Sequence, residues 1–578
     1  MKNLSFLAAS LLVIGLSEFI PSQAAEIYYN ANIYTADKRL EYATAFVVDK
    51  GKFIYVGNDK KALSYQKDKT KDTVTDLNGA RVLPGFIESH NHLTTVGASL
   101  PSEDAIFGGN IKSRQELMKI GKEFAQKRKD LSVIMLREIP QEYADLTMKD
   151  WDEICKDRPV FVIFEGGHAG AVNTLMAEKI DLEHQKDPMP GVSYAKRDKD
   201  GHVTGYIAEL IMTHMMLAKG IPLDKEQAKN GLENIIHYYN SMGYTGVTEG
   251  GTPNLNENEI LPILKELDEE GKYTLHNDFP SIWFGNNICT IEEYEKRVKY
   301  QKKHFETENI KIGTIKMWAD GVLGAHSALM RQPYNEPSGK TNYGSHLISI
   351  EDQHTAAKLA KKNGWNIHIH SIGDKAVENT LDVYEAVGKT KGVKSIAHYE
   401  ICDEDLMDRT AKMNIPVATT PWWATTIQKA ELEGAGKKLP HMLDIAGLMD
   451  RGINVSFGSD SNGSLAQWNP VFNIYTAMVR RPDAPKNGPW IAGKPISAKQ
   501  AIDAYTINGA IERGHEKEFG SITKGKSADF VIWNKDLMIL NPKEMLTYHE
   551  KDGSFDLYVW PLKTYFRGKC VFDKNLSK

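Results

Sequence analysis

The sequence predicts an α/β fold: a (β/α)8 barrel of the TIM type, with a composite β-sandwich from both termini and an inserted cap subdomain. Three observations carry that prediction. Eight apolar runs rich in β-branched and aromatic residues recur through the middle of the chain, with helical patterns between them. Short strands bounded by turn residues crowd both ends. His90 and His92 in VLPGFIESHNH and Asp460 in INVSFGSD stand at the close of the first and last of the eight runs, where a barrel presents its reactive face.

The first element is the leader. MKNLSFLAASLLVIGLSEFIPSQAAE places Lys2 before a short apolar stretch and small residues at Ala24-Ala25, so residues 1–24 read as a secretory signal peptide. The stretch is too short and wrongly flanked for a membrane span, and no later segment is comparable. A periplasmic or secreted protein, soluble after export, is the expectation. The net charge of −5 without basic blocks argues against nucleic acid or anionic membrane partners. A small-molecule substrate remains, with a homodimer left open. Cys155, Cys289, Cys402 and Cys570 lie far apart with no CxxC, so at most one or two disulfides are expected and no pairing follows.

Residues 25–80 alternate short β-type runs with turns (EIYYNANIYT, TAFVVD, KFIYVG). Residues 516–578 repeat the pattern in SADFVIWN, LYVWPLKTYFRG and KCVFD. Neither end holds enough strands for its own core, so the two are expected to share one sandwich. Residues 81–515 then form the barrel. Its strands are expected in RVLPGFIES, GYTGVTE, KYTLHNDF, KIGTIKMWA, WNIHIH, KSIAHYE, IPVATT and INVSFGS. Capping boxes at Thr290-x-x-Glu293 and Ser497-x-x-Gln500 mark helix starts between or after them. Residues 100–230 are too long for one loop and carry helices near Gln115–Arg128 and Lys225–Ser241, so they are expected to cap the barrel mouth.

The chemistry lies in the strand ends. Residues i and i+2 of a strand share a face, so His90 and His92 can aim two imidazoles at one ion. The spacing alone decides little, because random placement of the 18 histidines gives roughly half an HxH pair and the chain has a second, His368-Ile369-His370. A histidine at a strand end is commonly a hydrogen-bonded structural group, and Asp460 could cap a following helix. Co-occurrence shifts the balance. His90 and His92, Lys316, His370, His398 and Asp460 fall in order on the ends of separate strands.

These motifs resemble the amidohydrolase superfamily, in its amidohydrolase family 3 or YtcJ-like branch, over nearly all of the mature chain. VLPGFIESHNHL is similar to its first-strand metal motif, HIHSIGDKAVENTLDVYEA to its fifth-strand segment and SIAHYEICDEDLMDR to the segment carrying the sixth-strand histidine. NVSFGSDSNGSLAQWNP and QAIDAYTINGAIERG…FGSITKGKSADFVIWN match the last-strand aspartate region and the closing tail. The resemblance implies a metal-dependent hydrolase barrel with metal ligands His90, His92, His370, His398 and Asp460, the last also carrying protons. It implies a divalent metal, zinc foremost. Lys316 in KMWADG bridges two ions as a carbamate or leaves one ion as a free amine. His368 is read as structural. EGGHAGAVNT brings His168 and Asn173, and TGYIAE brings Glu209, as substrate contacts in the insertion. Trp422 and Trp423 offer an aromatic wall, or packing under a loop. Two departures stand out: Glu88 where the family usually has Asp, and Ile396-Ala397-His398 where it often has Ile-Glu-His. Both departures bear on the positioning of the metal-bound water.

The expected reaction is metal-assisted hydrolysis of a C–N bond other than a peptide bond: an amide, an N-acyl or N-formyl compound, or a cyclic amide. Metal-activated water attacks, and Asp460 passes its proton to the departing amine. The alternatives are deamination or ester hydrolysis at the same site, or a non-enzymatic exoenzyme regulator on the same scaffold.

Overall fold

The computed structural model describes residues 24–98, 105–107, 111–165, 167–221, 223–252, 256–335, 339, 341–426, 429–460, 467–481, 490–549 and 554–576. The expected signal peptide, except for Ala24, lies outside the described residues. No helix among them is long and apolar enough to cross a membrane.

The centre is an eight-stranded parallel sheet, and each expected strand segment contributes one strand: β1 Phe86–Asn91, β2 Tyr244–Glu249, β3 His276–Ile282, β4 Ile310–Trp318, β5 Asn366–Ser371, β6 Lys394–His398, β7 Val417–Thr419 and β8 Val455–Phe457. The order runs from β1 to β8 without a swap, and neighbours pair in parallel, as a TIM-type barrel requires. The sheet closes through two amides. The Asp460 amide donates to the His90 carbonyl at 2.9 Å, and the Ser459 amide donates to the Glu88 carboxylate at 2.8 Å. All six residues of β1 are buried, so apolar and polar side chains alike pack on both faces of the sheet.

RVLPGFIES does not run as one strand. Arg81–Pro84 joins the terminal sheet and Phe86–Asn91 enters the barrel. Proline lacks an amide for a barrel ladder, and the Gly85 amide turns aside to the Asp529 carbonyl at 3.0 Å. The terminal sandwich is composite. One sheet pairs strands of residues 26–76; the other orders Lys569–Asp573, Pro561–Phe566, Phe530–Trp533, Arg81–Pro84, Asn32–Tyr34 and Tyr42–Ala43. Phe46, Phe53 and Phe530 bury their rings between the two sheets, which welds the chain ends together.

The insertion holds more than helices. It contains a six-stranded mixed sheet, ordered Tyr194–Arg197, Val203–Ala208, Gly170–Val172, Val160–Phe164, Ile134–Ile139 and Ala105–Phe107. One face packs on the helix Arg114–Lys127 through Leu117 and Met118. The other packs on Leu210–Gly220 through Met212 and Met216. Lys225–Ser241, expected in the insertion, belongs instead to the barrel's outer layer. Asp224 caps its N-terminus, and Ala228, Leu232, Ile235, Ile236 and Tyr239 recur at helical spacing to face the barrel core. Each such large apolar side chain contributes roughly 1.5–3 kcal/mol on burial. The four cysteines are all unpaired, with Cys155 and Cys402 buried.

Candidate metal centre

The strand register delivers the site. Lys316 stands opposite His368, Trp318 opposite His370, and Ser371 opposite His398, so β4, β5 and β6 end at successive levels around the mouth. His398, Tyr399 and Asp460 have φ of 74°, 51° and 41°, a left-handed backbone that non-glycine residues adopt at a cost. β6 therefore stops at His398, and the chain turns to present that imidazole.

Asp460 is the meeting point. Its Oδ1 lies 3.3 Å from His92 Nε2 and 3.8 Å from His90 Nε2, and its Oδ2 lies 3.6 Å from His398 Nδ1. His90, His398 and Asp460 each offer one donor atom within 4.8 Å of the others, a grouping among the described residues that could hold a metal ion. Lys316 Nζ stands 3.4 Å from His90 Nε2, and the His370 ring packs 4.4 Å from the His398 ring. A β-carbon on Gly250 would come within 3.0 Å of both His90 Nε2 and His92 Nε2, so only glycine leaves room for the pair there.

These residues fit a divalent cation. A tetrahedral ion with bonds near 2.0–2.1 Å spaces its ligands about 3.4 Å apart, the range in which Asp460 meets the imidazoles. The tautomers are prepared as well. The His92 Nδ1–H donates to the Gly251 carbonyl at 2.7 Å, which frees Nε2. The His370 Nε2–H donates to the Gly321 carbonyl at 3.1 Å, which frees Nδ1. Burial holds His90, His370 and His398 far below the ordinary imidazole range, with the neighbouring Lys316 adding to it for the first two, so they stay neutral as ligands must be. His92 moves the other way: burial opposes its charge, but the bond and charge of Asp460 prevail and raise it. Burial also brings the Lys316 ammonium down to about 7.

Carboxylates back the ligands. Glu88 accepts from the His90 and Ser459 amides, so the glutamate that departs from the family pattern clamps β1 to β8; burial raises it to about 8. Ala397, the second departure, supplies no carboxylate and simply pairs with His370 in register. Two acids went unassigned in the sequence reading. Asp320 accepts from the Ile372, Gly373 and Leu329 amides beside His370, and Glu249 accepts from the Thr94 amide; burial lifts each to about 7. Asp320 sits in the KMWADG segment, a usable signal; Glu249 merely ends a strand.

The cap meets the barrel at His168. Its Nδ1 lies 2.8 Å from Glu209 Oε2, and its ring lies 5.9 Å from that of His370. Glu209 takes φ 60° at the start of Leu210–Gly220, a strained backbone that turns the carboxylate inward. Asn173 is not part of this site. Its amide accepts from Val160 and Met176 and donates to the Cys155 and Arg158 carbonyls, so it is a saturated helix cap inside the insertion and the expected substrate contact is corrected. Trp422 donates its indole N–H to the Ser459 carbonyl, beside Asp460. Trp423 is stacked on His398 at 5.3 Å and 14°. His326 stacks on Tyr334, and Asp374 accepts from the Arg331 amide at the start of its helix.

The exoenzymes regulatory protein AepA of Pectobacterium carotovorum subsp. carotovorum is 29% identical over 71% of this chain and 87% of its own length. The N-substituted formamide deformylase of Arthrobacter pascens is 24% identical over 88% of this chain and 93% of its own. The crystal structure of an uncharacterized metal-dependent hydrolase from Pyrococcus horikoshii OT3 superposes with a TM-score of 0.70 at 21% identity, covering 90% of this chain and 99% of that one, a likeness of fold. The sequence profile described as "Amidohydrolase family" matches residues 73–572, from the terminal sandwich through the barrel and back, and the protein accordingly belongs to the amidohydrolase family.

Proposed function

We propose that the protein hydrolyses a C–N bond in a small amide, with N-formyl and N-acyl amides and cyclic amides as the leading substrates. The observation that carries this reading is the Asp460 carboxylate standing within 3.8 Å of three imidazoles at the barrel mouth. A divalent cation there, zinc as first candidate, supplies a Lewis acid that polarises a carbonyl and acidifies water. The chain does the rest. His90, His92, His370, His398 and Asp460 would hold the ion. The free lone pairs of Asp460 accept the proton of the attacking water and return it to the departing amine. Lys316, brought down to about 7, would as a carbamate supply a ligand for a second ion and as an amine leave a single one.

The substrate meets the cap. His168, fixed by Glu209, and Trp423 bound the mouth, while Leu210 packs against Ile282, Trp318 and Leu347 to give an apolar wall between cap and barrel. The likeness to a formamide deformylase supports amide chemistry. The likeness to AepA favours a second reading, a non-catalytic exoenzyme regulator, against which the grouping of His90, His398 and Asp460 counts. The signal-like residues 1–24 support export to the periplasm or beyond.

The test is a metal-stripped and reloaded protein assayed on N-formyl amines, N-acyl amino acids, cyclic amides, aminated heterocycles and carboxylic esters. The expected result is metal-dependent amine release, with Asp460→Asn lowering kcat about 10²–10⁴-fold while the ion stays bound. Absence of a tightly bound divalent ion, or full activity in Asp460→Asn, overturns the proposal. Ammonia from a heterocycle would transfer it to deamination.

A further inference from the structure

We infer that His368 and Glu512 form a histidine–carboxylate relay beneath the site, which fixes the tautomer and ring orientation of the ligand His90. The inference rests on the metal-centre reading above. It begins with a contact that the register places one level below the mouth. His90 Nδ1 lies 2.8 Å from His368 Nε2, with the two rings 5.1 Å apart. One nitrogen of that pair donates and the other accepts.

The site settles which. His90 Nε2 faces Asp460 Oδ1 and Lys316 Nζ, so it is the nitrogen that meets the ion and carries no proton. A neutral imidazole has one N–H, and for His90 it is therefore Nδ1–H, donating to His368 Nε2. His368 Nε2 is then the acceptor, and its own N–H is on Nδ1. That nitrogen lies 2.7 Å from Ser395 Oγ and 3.4 Å from Glu512 Oε1. Glu512 is fully buried and faces the Ser395 hydroxyl and the Arg513 guanidinium. A buried carboxylate costs free energy unless its neighbours use it. The Ser395 hydroxyl accepts the His368 N–H and gives its own proton to Glu512, so the carboxylate acts on His368 through Ser395, with the Arg513 guanidinium 3.0 Å away on the other side.

The relay draws on four elements. His90 comes from β1, His368 from β5 and Ser395 from β6, where His368 and Ser395 stand opposite each other. Glu512 comes from the helix Ile507–Arg513, which follows β8 and closes the barrel. The two histidines of HIH thus divide the work on one strand face: His370 at the mouth as ligand, His368 one level deeper as a positioning residue. Outer partners of this kind orient a metal-bound imidazole and raise its basicity, and their loss commonly lowers metal affinity 10–100-fold.

The experiment measures Zn2+ affinity of the apo full chain by competition with a chromophoric chelator, and reads the visible spectrum of the Co2+-loaded protein. His368→Leu removes the acceptor and is expected to weaken Zn2+ binding 10–100-fold and shift the Co2+ bands, with the melting temperature of the apo protein held within a few degrees. His368→Gln, which keeps an acceptor oxygen, recovers most of the affinity. Glu512→Leu weakens binding in the same direction, and the double variant is no worse than His368→Leu alone, because both changes cut one relay. Unchanged affinity in His368→Leu, or fully additive losses in the double variant, overturns the relay. Should the variants fail to fold, nitrogen-15 histidine spectra of the unsubstituted apo protein decide: Nδ1–H at both His90 and His368 supports it, and Nε2–H at His90 overturns it. Failure of the unsubstituted protein to bind Zn2+ or Co2+ defeats the metal reading instead, and those same spectra still judge the hydrogen-bonded pair.

Discussion

A β-carbon on Gly458 would sit 2.5 Å from the backbone nitrogen of His90 and 2.8 Å from its Cβ. The last strand therefore meets the first backbone to backbone, and the contact that closes the barrel also sets Asp460 against His90. No side chain fits there, since the obstruction is main chain and cannot swing aside.

Gly458→Ala follows from that contact. The added methyl must push β8 from β1, a strain of about 1–3 kcal/mol by analogy with overpacked cores. The same displacement carries Asp460 away from His90 and His92. Urea denaturation is expected to show the modest loss, and chelator competition a larger fall in metal affinity. A folded Gly458→Ala protein that binds metal as tightly as its parent would show that closure and ligand geometry are independent.

Asn173 and His168, both drawn from EGGHAGAVNT, should respond in opposite ways. Asn173→Ala strips a helix cap and leaves buried amide and carbonyl groups unpaired, a loss of about 2–4 kcal/mol. Its folded fraction should keep the parental KM. His168→Ala faces the mouth and should lower kcat/KM by about tenfold or more with metal affinity intact. Thermal melts paired with steady-state kinetics separate the two, and a KM change in Asn173→Ala would restore it to the substrate.

The barrel was legible because its strands end in residues that a core does not ask for. A histidine, lysine or aspartate closing a β-branched run carries positional information, and β1, β4, β5, β6 and β8 all supply it. The cap sheet was hidden for the opposite reason. Strands such as Val160–Phe164 are buried on both faces, so they show no alternation and look like any apolar run. Trp422 and Trp423 are neighbours that turn to different partners as a short helix begins, which no composition reveals. Glu512 stands more than a hundred residues from His368 in sequence, and only the closing helix brings it under the site.

Glu295 gives a prediction about acid stability. Its carboxylate receives the ammonium groups of Lys299 at 2.7 Å and Lys362 at 2.9 Å, and the Asn363 amide at 3.1 Å. These bonds tie the helix Ile291–Phe305 to the helix Ile350–Asn363 on the outside of the barrel. The bonds from Lys299 and then Lys362 lower the carboxyl from its ordinary 4.5 to about 2. A depressed folded value means that the stabilisation is fully present above 4.5 and drains away as pH falls toward about 2. Glu295→Gln should therefore cost on the order of 0.5–1 kcal/mol at pH 7, the range of a well-made surface network. The cost should shrink through the acid window, until variant and parent unfold together near its lower end. Urea midpoints collected from pH 7 down to pH 3 would reveal the convergence, and a gap that stayed constant across that range would mean that the amide replaces the carboxylate without electrostatic loss.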